Sequence, residues 1–407
     1  MSKHYVIVGS GVAAVHAAKA IRDREPDTDT EISILGEEAH LPYNRIKLTK
    51  GLFTDLHSEK VLIKKEKWYK DNRITVQTST RVTRIHTDCQ QVETADGRVF
   101  TYHKLLLCMG ARNRALPVKG AGLKNVHTIR DLQDADRLKA SLHSGNRIVI
   151  IGGGVQGLET AWAMHDAGYE VTVVEAAPRL MIRQLDETSS QMLKQTLEQS
   201  GVKVILHTGV TSITGEESVT GVALDDESAI ACDHVVYSIG IVPDTTLVKD
   251  TPVDTRSGII VNPNMETSAP HVYAAGDIAE MNGQVEGLWG GAMEQGRIAG
   301  NNMAASEPAA YRKAVPVTFF NAFGISLFSI GMTDESQCDL SVSAQENGIY
   351  TQIFVKDHTI TGAISWEGAA ASLVYKSAIE TGCSLEGIDL SRSLSEIMTE
   401  VQTRLQN

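Results

Sequence analysis

The sequence predicts an α/β fold: two successive units of the strand–turn–helix kind, followed by a smaller α+β domain. Three observations carry that expectation. An apolar strand, a glycine-rich turn and an alanine-rich helix follow one another from residue 4. The same device returns from residue 147, and after about residue 311 the pattern changes to aromatic-rich alternation.

In the first unit, Tyr5-Val6-Ile7-Val8 is a continuous apolar run, as a buried parallel strand requires. Gly9-Ser10-Gly11-Val12-Ala13-Ala14 follows. Gly9 allows a tight turn, Gly11 lets a pyrophosphate approach the main chain, and Ala14 keeps the next helix close to the strand. Free N–H groups at the start of that helix face phosphate charge. Ile32-Ser33-Ile34-Leu35-Gly36-Glu37 is the second strand, ending at Glu37, where a carboxylate accepts hydrogen bonds from a ribose diol. A loop beginning Pro42-Tyr43-Asn44-Arg45 leads toward a helix at Lys50. Residues 74–89 alternate through Val82, Arg84 and His86 as strands, and Asp96-Gly97 marks a hairpin turn. Residues 104–109 form another buried strand, and residues 114–124, with Pro117, Gly120 and Gly122, connect two domains.

The second unit opens with a helix carrying Leu132, Ala135, Leu138 and Leu142, stopped at Gly145. Residues 147–151 are a strand, followed by Gly152-Gly153-Gly154-Val155-Gln156-Gly157 and a helix opening at Leu158. The next strand, residues 169–174, ends at Glu175. Glycines therefore stand at all three fingerprint positions, Gly152, Gly154 and Gly157, with the acid about 20 residues on. Asp186 and Gly201 are expected to cap the helix that carries Met192, Leu193 and Leu197. The unit closes on residues 235–243, which include Gly240. Two fingerprints in one chain imply two nucleotide cofactors in separate domains. A carboxylate at Glu175 accepts from a free 2′-hydroxyl and repels a 2′-phosphate. Ala176 and Ala177 supply no cation, although Arg179 and Arg183 lie nearby, so NADH is expected over NADPH.

Val272-Tyr273-Ala274-Ala275-Gly276-Asp277 is a further strand ending at Asp277, and residues 287–296, including Trp289, lead into a helix. Beyond residue 311 come Phe319, Phe320, Phe323 and Phe328, and then a hairpin around Lys356-Asp357-His358. Two helices end the chain, the second carrying Leu394, Ile397, Val401 and Leu405. This α+β domain holds no chemical motif and is read as serving packing and association.

Composition narrows the function. With 407 residues, 42% hydrophobic and 22% charged, the chain is an ordinary globular protein of two or three domains. A net charge of −12 opposes nonspecific nucleic-acid binding. No run approaches the roughly 18 apolar residues of a membrane helix. The first strand begins almost at once, without a basic leader, which gives a cytoplasmic expectation. The five cysteines, Cys89, Cys108, Cys232, Cys338 and Cys383, form no close pair, so neither a disulfide framework nor a redox dithiol is expected. None of the thirteen histidines has metal-ligand spacing to another. Between residues 45 and 73, nine basic residues stand against four acids. That stretch is either a solvated face or a surface that steers an acidic partner.

These motifs, with Gly240-Ile241-Val242-Pro243, occur in the order and spacing of the two-dinucleotide flavoprotein reductases. The chain resembles the FAD-dependent pyridine-nucleotide–disulfide oxidoreductase superfamily. Within it, the chain is most similar to NADH:rubredoxin reductases and the flavoprotein module or subunit of assimilatory nitrite reductases. Pro42-Tyr43-Asn44-Arg45, Arg183-Gln184-Leu185-Asp186 and Trp289-Gly290-Gly291-Ala292-Met293-Glu294-Gln295-Gly296 carry the narrower likeness.

The resemblance implies two Rossmann-like domains, for FAD and NADH. Residues 1–113 and 244–315 would be two segments of the FAD-binding domain, 114–243 the NAD(H)-binding domain, and 316–407 a C-terminal α+β interface domain. It places Arg45, Val82 and Arg130 among the cofactor-binding residues, Asp277 at the ribityl or pyrophosphate of FAD, and Trp289 at the pyrimidine edge of the flavin. Lys50 and Glu159 match an ion pair beside the isoalloxazine, where a lysine favours negative charge on the reduced ring.

Disulfide reductases place a cysteine pair in the loop that here runs over residues 42–50, and related peroxidases a single cysteine. This chain has neither. The expected activity is therefore electron transfer from NADH through FAD to a rubredoxin or ferredoxin, by a monomer or homodimer. The alternatives are a flavoprotein feeding a sirohaem nitrite reductase or an oxygenase, and an NADH-responsive sensor with little turnover.

Overall fold

Apolar runs without alternation become the central strands. The computed structural model describes residues 3–26, 29–346 and 348–406. Within them the chain divides into two units. One comprises Met1–Lys47, Asp55–Arg114 and Gly240–Lys313; the other comprises Leu48–Thr54, Ala115–Ile239 and Ala314–Asn407.

The first unit is built on a five-stranded parallel sheet in the order Val272–Ala274, Lys104–Leu107, Lys3–Val8, Thr30–Leu35, Ile74–Gln77. Tyr5 stands opposite both Ile32 and Lys104, so the fully buried Val6, Ile7, Leu105 and Leu106 form the middle of the sheet. The helices Val12–Arg24 and Trp289–Ala304 pack against each other at close range. The cause is local: a Cβ on Gly296 or Gly300 would come within 2.3 Å of the main-chain oxygen of Ala13 or Ala17. Arg22, near the end of the first helix, is buried. It donates to the carbonyls of Glu25, Thr30, Asn72 and Arg73 at 2.9–3.0 Å, tying the helix end to two strands. An antiparallel meander of Val82–His86, Gln91–Thr94 and Val99–Thr101 adds Val82, Ile85 and Val92 to the same core. Its second turn holds Gly97 at φ +83°, as the Asp96-Gly97 pair requires.

The second unit repeats the plan. Its parallel sheet runs Lys203–Ile205, Glu170–Val174, Arg147–Ile151, His234–Tyr237, Val126–His127. The helix Glu187–Gln199 is capped by Asp186, whose side chain accepts from Ser189 N, and Gly201 follows at φ +99°. The C-terminal stretch forms a five-stranded antiparallel sheet in the order Val317–Ala322, Ile325–Gly331, Thr359–Ser365, Ile349–Lys356, Leu340–Glu346. Phe328, Ile330, Ile353 and Ile360 from this sheet share a core with Tyr375, Ile397 and Val401 of the helices Ser372–Thr381 and Leu394–Gln406.

Four details depart from the sequence expectations. The second strand ends at Leu35, two residues before Glu37, because Gly36 turns out of the strand; a Cβ there would meet Ser10 at 2.7 Å. The helix of the second fingerprint opens at Val155 rather than Leu158, with Gly154 as its N-cap, so the fingerprint itself supplies its first turn. The strand Ile241–Pro243 does not close the second sheet. It pairs antiparallel with Ala111–Asn113 in the first unit. The edge strand Leu340–Glu346 is an addition to the sequence expectations, although Leu340, Val342 and Ala344 alternate with Ser341, Ser343 and Gln345 as a strand does.

Candidate functional site: two nucleotide cradles and a buried ion pair

In the first unit, Gly9 lies at φ +107°, and a Cβ on it would sit 2.3 Å from Cys108 O. Its own N–H donates to Leu35 O at 2.9 Å, so the turn is pinned between two neighbouring strands. Gly11 is the helix N-cap and brings no side chain to its first N–H groups, and the space a Cβ would take is open. Ala14 is fully buried under this turn. Donors directed at open space, with the positive end of a 13-residue helix behind them, fit a pyrophosphate.

Glu37 is exposed, with Arg81 3.5 Å from its carboxylate. The neighbouring Glu38 is the more constrained acid: Tyr43 OH donates to it at 2.6 Å, and Arg45 pairs with it while lying 5.1 Å over the Tyr43 ring. Val82 turns its side chain into the core, which leaves its main chain as the part able to meet a nucleotide.

Asp277 follows Gly276, which stands at φ +81° just beyond the Val272–Ala274 strand. Gly276 N donates to Gln295 Oε1 at 2.8 Å. The other end of that buried amide donates to Glu286 Oε1 at 3.2 Å, and Tyr311 OH reaches the same oxygen at 2.8 Å. This network ties the Asp277 turn to the helix that begins at Trp289. Sequence reasoning missed Glu286, Gln295 and Tyr311. The available signal was a glutamine among the small residues of a helix, a polar group that such a buried face tolerates only when paired.

In the second unit the cradle is built the same way. Gly152 stands at φ +112°, and a Cβ there would meet Ser238 O at 2.4 Å. A Cβ on Gly157 would lie 2.0 Å from Gly152 O, so only glycine lets this helix meet its strand. Gly154 caps the helix with open space around it. Glu175 is already oriented: its carboxylate accepts from Ala177 N at 2.7 Å and from Gly153 N. The carboxylate is therefore a fixed acceptor. Gln156 spans Ile129 O and the Ser238 hydroxyl at 2.7 and 3.1 Å. Arg130 stands half-buried, its N–H bonded to Asp134 at 2.8 Å, and Gly240 lies exposed at φ +98°.

Lys50 and Glu159 also come together in the second unit, with Nζ 3.1 Å from Oε1. Glu159 is only 6% exposed, and Thr49 donates to its second oxygen at 2.9 Å. Burial pushes the Glu159 carboxyl above the usual carboxylate range, while Lys50 and Thr49 pull it back.

Three of the nine basic residues between residues 45 and 73 pair with acids of that stretch itself. Lys65 pairs with Glu59, Lys67 with Asp71 and Lys70 with Glu66, at 2.7–2.9 Å. Among the described residues no group of three or more metal-ligating side chains converges, and no helix is long and apolar enough to cross a membrane. Cys108 and Cys232 are buried and Cys89 exposed; all five cysteines are unbridged.

Two parallel sheets, each with an uncapped glycine-lined helix start, define a two-nucleotide α/β protein. The chain belongs to the pyridine nucleotide-disulphide oxidoreductase family, whose model matches residues 3–296. Residues 316–383 match the rubredoxin NAD+ reductase C-terminal domain. It is 34% identical over 364 residues to a nitrite reductase [NAD(P)H] of Bacillus subtilis, covering 89% of this chain and 45% of that protein. The chain thus spans about half the length of that relative. To the NADH-rubredoxin oxidoreductase of Clostridium acetobutylicum it is 30% identical over 387 residues, 95% of this chain and 97% of that one. A crystal structure of a ferredoxin reductase from Rhodopseudomonas palustris superposes with a TM-score of 0.87 at 27% identity, covering 97% of this chain and 99% of that one.

Proposed function

We propose that this chain is an NADH-dependent flavoprotein reductase that delivers electrons to a small redox protein of the rubredoxin or ferredoxin type. The observation that carries this reading is the repeated cradle: two glycine-lined helix starts, one in each unit, each fit for a pyrophosphate. Relatives named as rubredoxin and ferredoxin reductases support the acceptor class.

FAD, when bound, supplies the conversion between the two-electron donor NADH and a one-electron carrier. The residues have separable tasks. Gly9, Gly11 and Ala14 hold the FAD pyrophosphate against the first helix, with Glu37, Arg45, the Val82 main chain, Arg130 and Asp277 completing its site and Trp289 at the ring edge. Residues 1–113 and 244–315 form the FAD-binding domain in this reading. Gly152, Gly154, Gly157 and Gly240 receive the pyridine nucleotide in residues 114–243, and Glu175 selects NADH by refusing a 2′-phosphate. Lys50, fixed by Glu159, sets the charge near the reacting ring. Residues 42–50 contain no cysteine, so no thiol relay is involved. Residues 316–407 serve as an interface domain, and the protein works in the cytoplasm as a monomer or homodimer.

The test is anaerobic stopped-flow mixing with NADH and with NADPH, followed by rubredoxin. Fast bleaching by NADH and rapid reoxidation by rubredoxin are expected. A protein that carries no flavin, or a flavin that NADH leaves unbleached, overturns the reading. If the basic stretch docks the carrier, replacing Lys64, Lys65 and Lys67 lowers carrier reduction and its salt dependence; unchanged values place docking elsewhere.

The nitrite reductase relative favours a second reading, in which this chain serves as the flavoprotein module for a sirohaem nitrite reductase. Bleaching by NADH, no transfer to rubredoxin and rapid transfer to such a partner would distinguish it.

A further inference from the structure

Two consecutive residues hold the two oxygens of one buried carboxylate. Lys50 Nζ lies 3.1 Å from Glu159 Oε1, and Thr49 Oγ1 donates to Glu159 Oε2 at 2.9 Å. Thr49 is itself 4% exposed, so water does not substitute freely for its hydroxyl. Lys50 has about a third of its side chain open to solvent, whereas Glu159 has almost none. The ammonium is thus the outward-facing end of a device whose other members are buried.

We propose that Thr49 is a positioning residue that orients the Glu159 carboxylate so that its first oxygen presents to Lys50. The proposal rests on the flavoprotein reading only for the ring that Lys50 faces; the hydrogen-bond geometry stands without it. The physical argument is one of satisfaction. A buried carboxylate with a single partner leaves an oxygen without a hydrogen bond, and such a group relaxes by turning toward another donor or by taking up a proton. Either response loosens Lys50. Among the described residues, Lys50 is the charged group that acts on Glu159, and it sits on the same short helix as Thr49. The Thr49 hydroxyl and the Lys50 ammonium therefore act together against the burial that favours the protonated acid.

The experiment is an infrared pH titration of the Glu159 carboxyl band in the purified protein as it is isolated, with Glu159→Gln identifying the band. In Thr49→Val, which keeps the shape and removes the hydroxyl, the protonation midpoint is expected to rise by about one pH unit, a tenfold gain in proton affinity. Thr49→Ser is expected to restore it. If Thr49→Val does not fold, Thr49→Ala carries the same test. A second readout is the midpoint potential of the bound flavin: Thr49→Val shifts it, Thr49→Ser restores it, and in a Lys50→Met background the Thr49→Val shift vanishes. An unchanged carboxyl midpoint in the hydroxyl-free variant overturns the proposal. The infrared titration needs no flavin, so a protein lacking the cofactor would defeat the reductase reading and still report on Thr49.

Discussion

Gly157 shows how one missing Cβ governs a cradle. At 2.0 Å from Gly152 O, an alanine methyl forces the helix off its strand. Gly157→Ala is expected to cost about 3 kcal/mol, the upper end of the usual overpacking range, and to weaken NADH binding by roughly tenfold or more. Urea unfolding and NADH titration measure the two effects. His127 offers a different residue-scale test. It stacks on the buried His234 at 5.7 Å, and its ring nitrogen lies 3.1 Å from the Ser141 hydroxyl. Burial first, then His234 and Arg137, push it down to about 4 from an ordinary 6.5. Above pH 6.5 both folded and unfolded imidazoles are neutral and this site costs nothing. As pH falls from about 6.5 to about 4 the unfolded chain takes up a proton that the folded one refuses, so stability declines across that window and levels off below it. The urea midpoint followed over pH should show the decline, and His127→Gln should remove this site's share of it.

At the scale of elements, Asp186 does more than cap. Its Oδ1 accepts from Ser189 N, opening the helix Glu187–Gln199, while Oδ2 accepts from Tyr350 OH at 2.7 Å. Tyr350 also reaches Gln352 at 3.1 Å, and Gln352 donates to Glu335. A helix of the nucleotide-binding sheet is thereby fastened to the antiparallel C-terminal sheet within one unit. Tyr350→Phe leaves a buried carboxylate oxygen short of a donor and is expected to cost about 1–3 kcal/mol, read as a lower unfolding midpoint with an unchanged urea slope. The cap was legible in the sequence because Asp186 precedes an apolar periodic run. Its tyrosine partner was not, since 164 residues separate them and no local pattern links a strand tyrosine to a distant helix end.

At the scale of the whole chain, a parallel sheet recurs in each unit, and in the second the Glu175 carboxylate is held by two main-chain N–H groups. Differential binding becomes differential stability, since a ligand held only by the folded state raises its unfolding free energy with the logarithm of saturation. NADH is expected to raise the thermal midpoint more than NADPH at equal concentration. Glu175→Gln, which removes the repulsion of a 2′-phosphate, should narrow that gap. A thermal-shift titration with both nucleotides decides it, and equal shifts in the wild type would contradict the preference.

The sequence by itself determined the central strands of the two parallel sheets, both glycine turns and the Asp186 cap, because each depends on residues adjacent in the chain: an apolar run, a glycine that tolerates positive φ, an aspartate beside free N–H groups. The tertiary structure alone decided which distant residues meet. It brought Thr49 to the Glu159 carboxylate, joined Glu286, Gln295 and Tyr311 behind the Asp277 turn, turned Val82 into the core, and paired Lys65, Lys67 and Lys70 with acids of their own stretch. It also grouped residues 48–54 with the second unit. Local conformational preference is written in neighbouring residues, whereas the pairing of buried polar groups is settled by packing, which brings together side chains that no sequence interval connects.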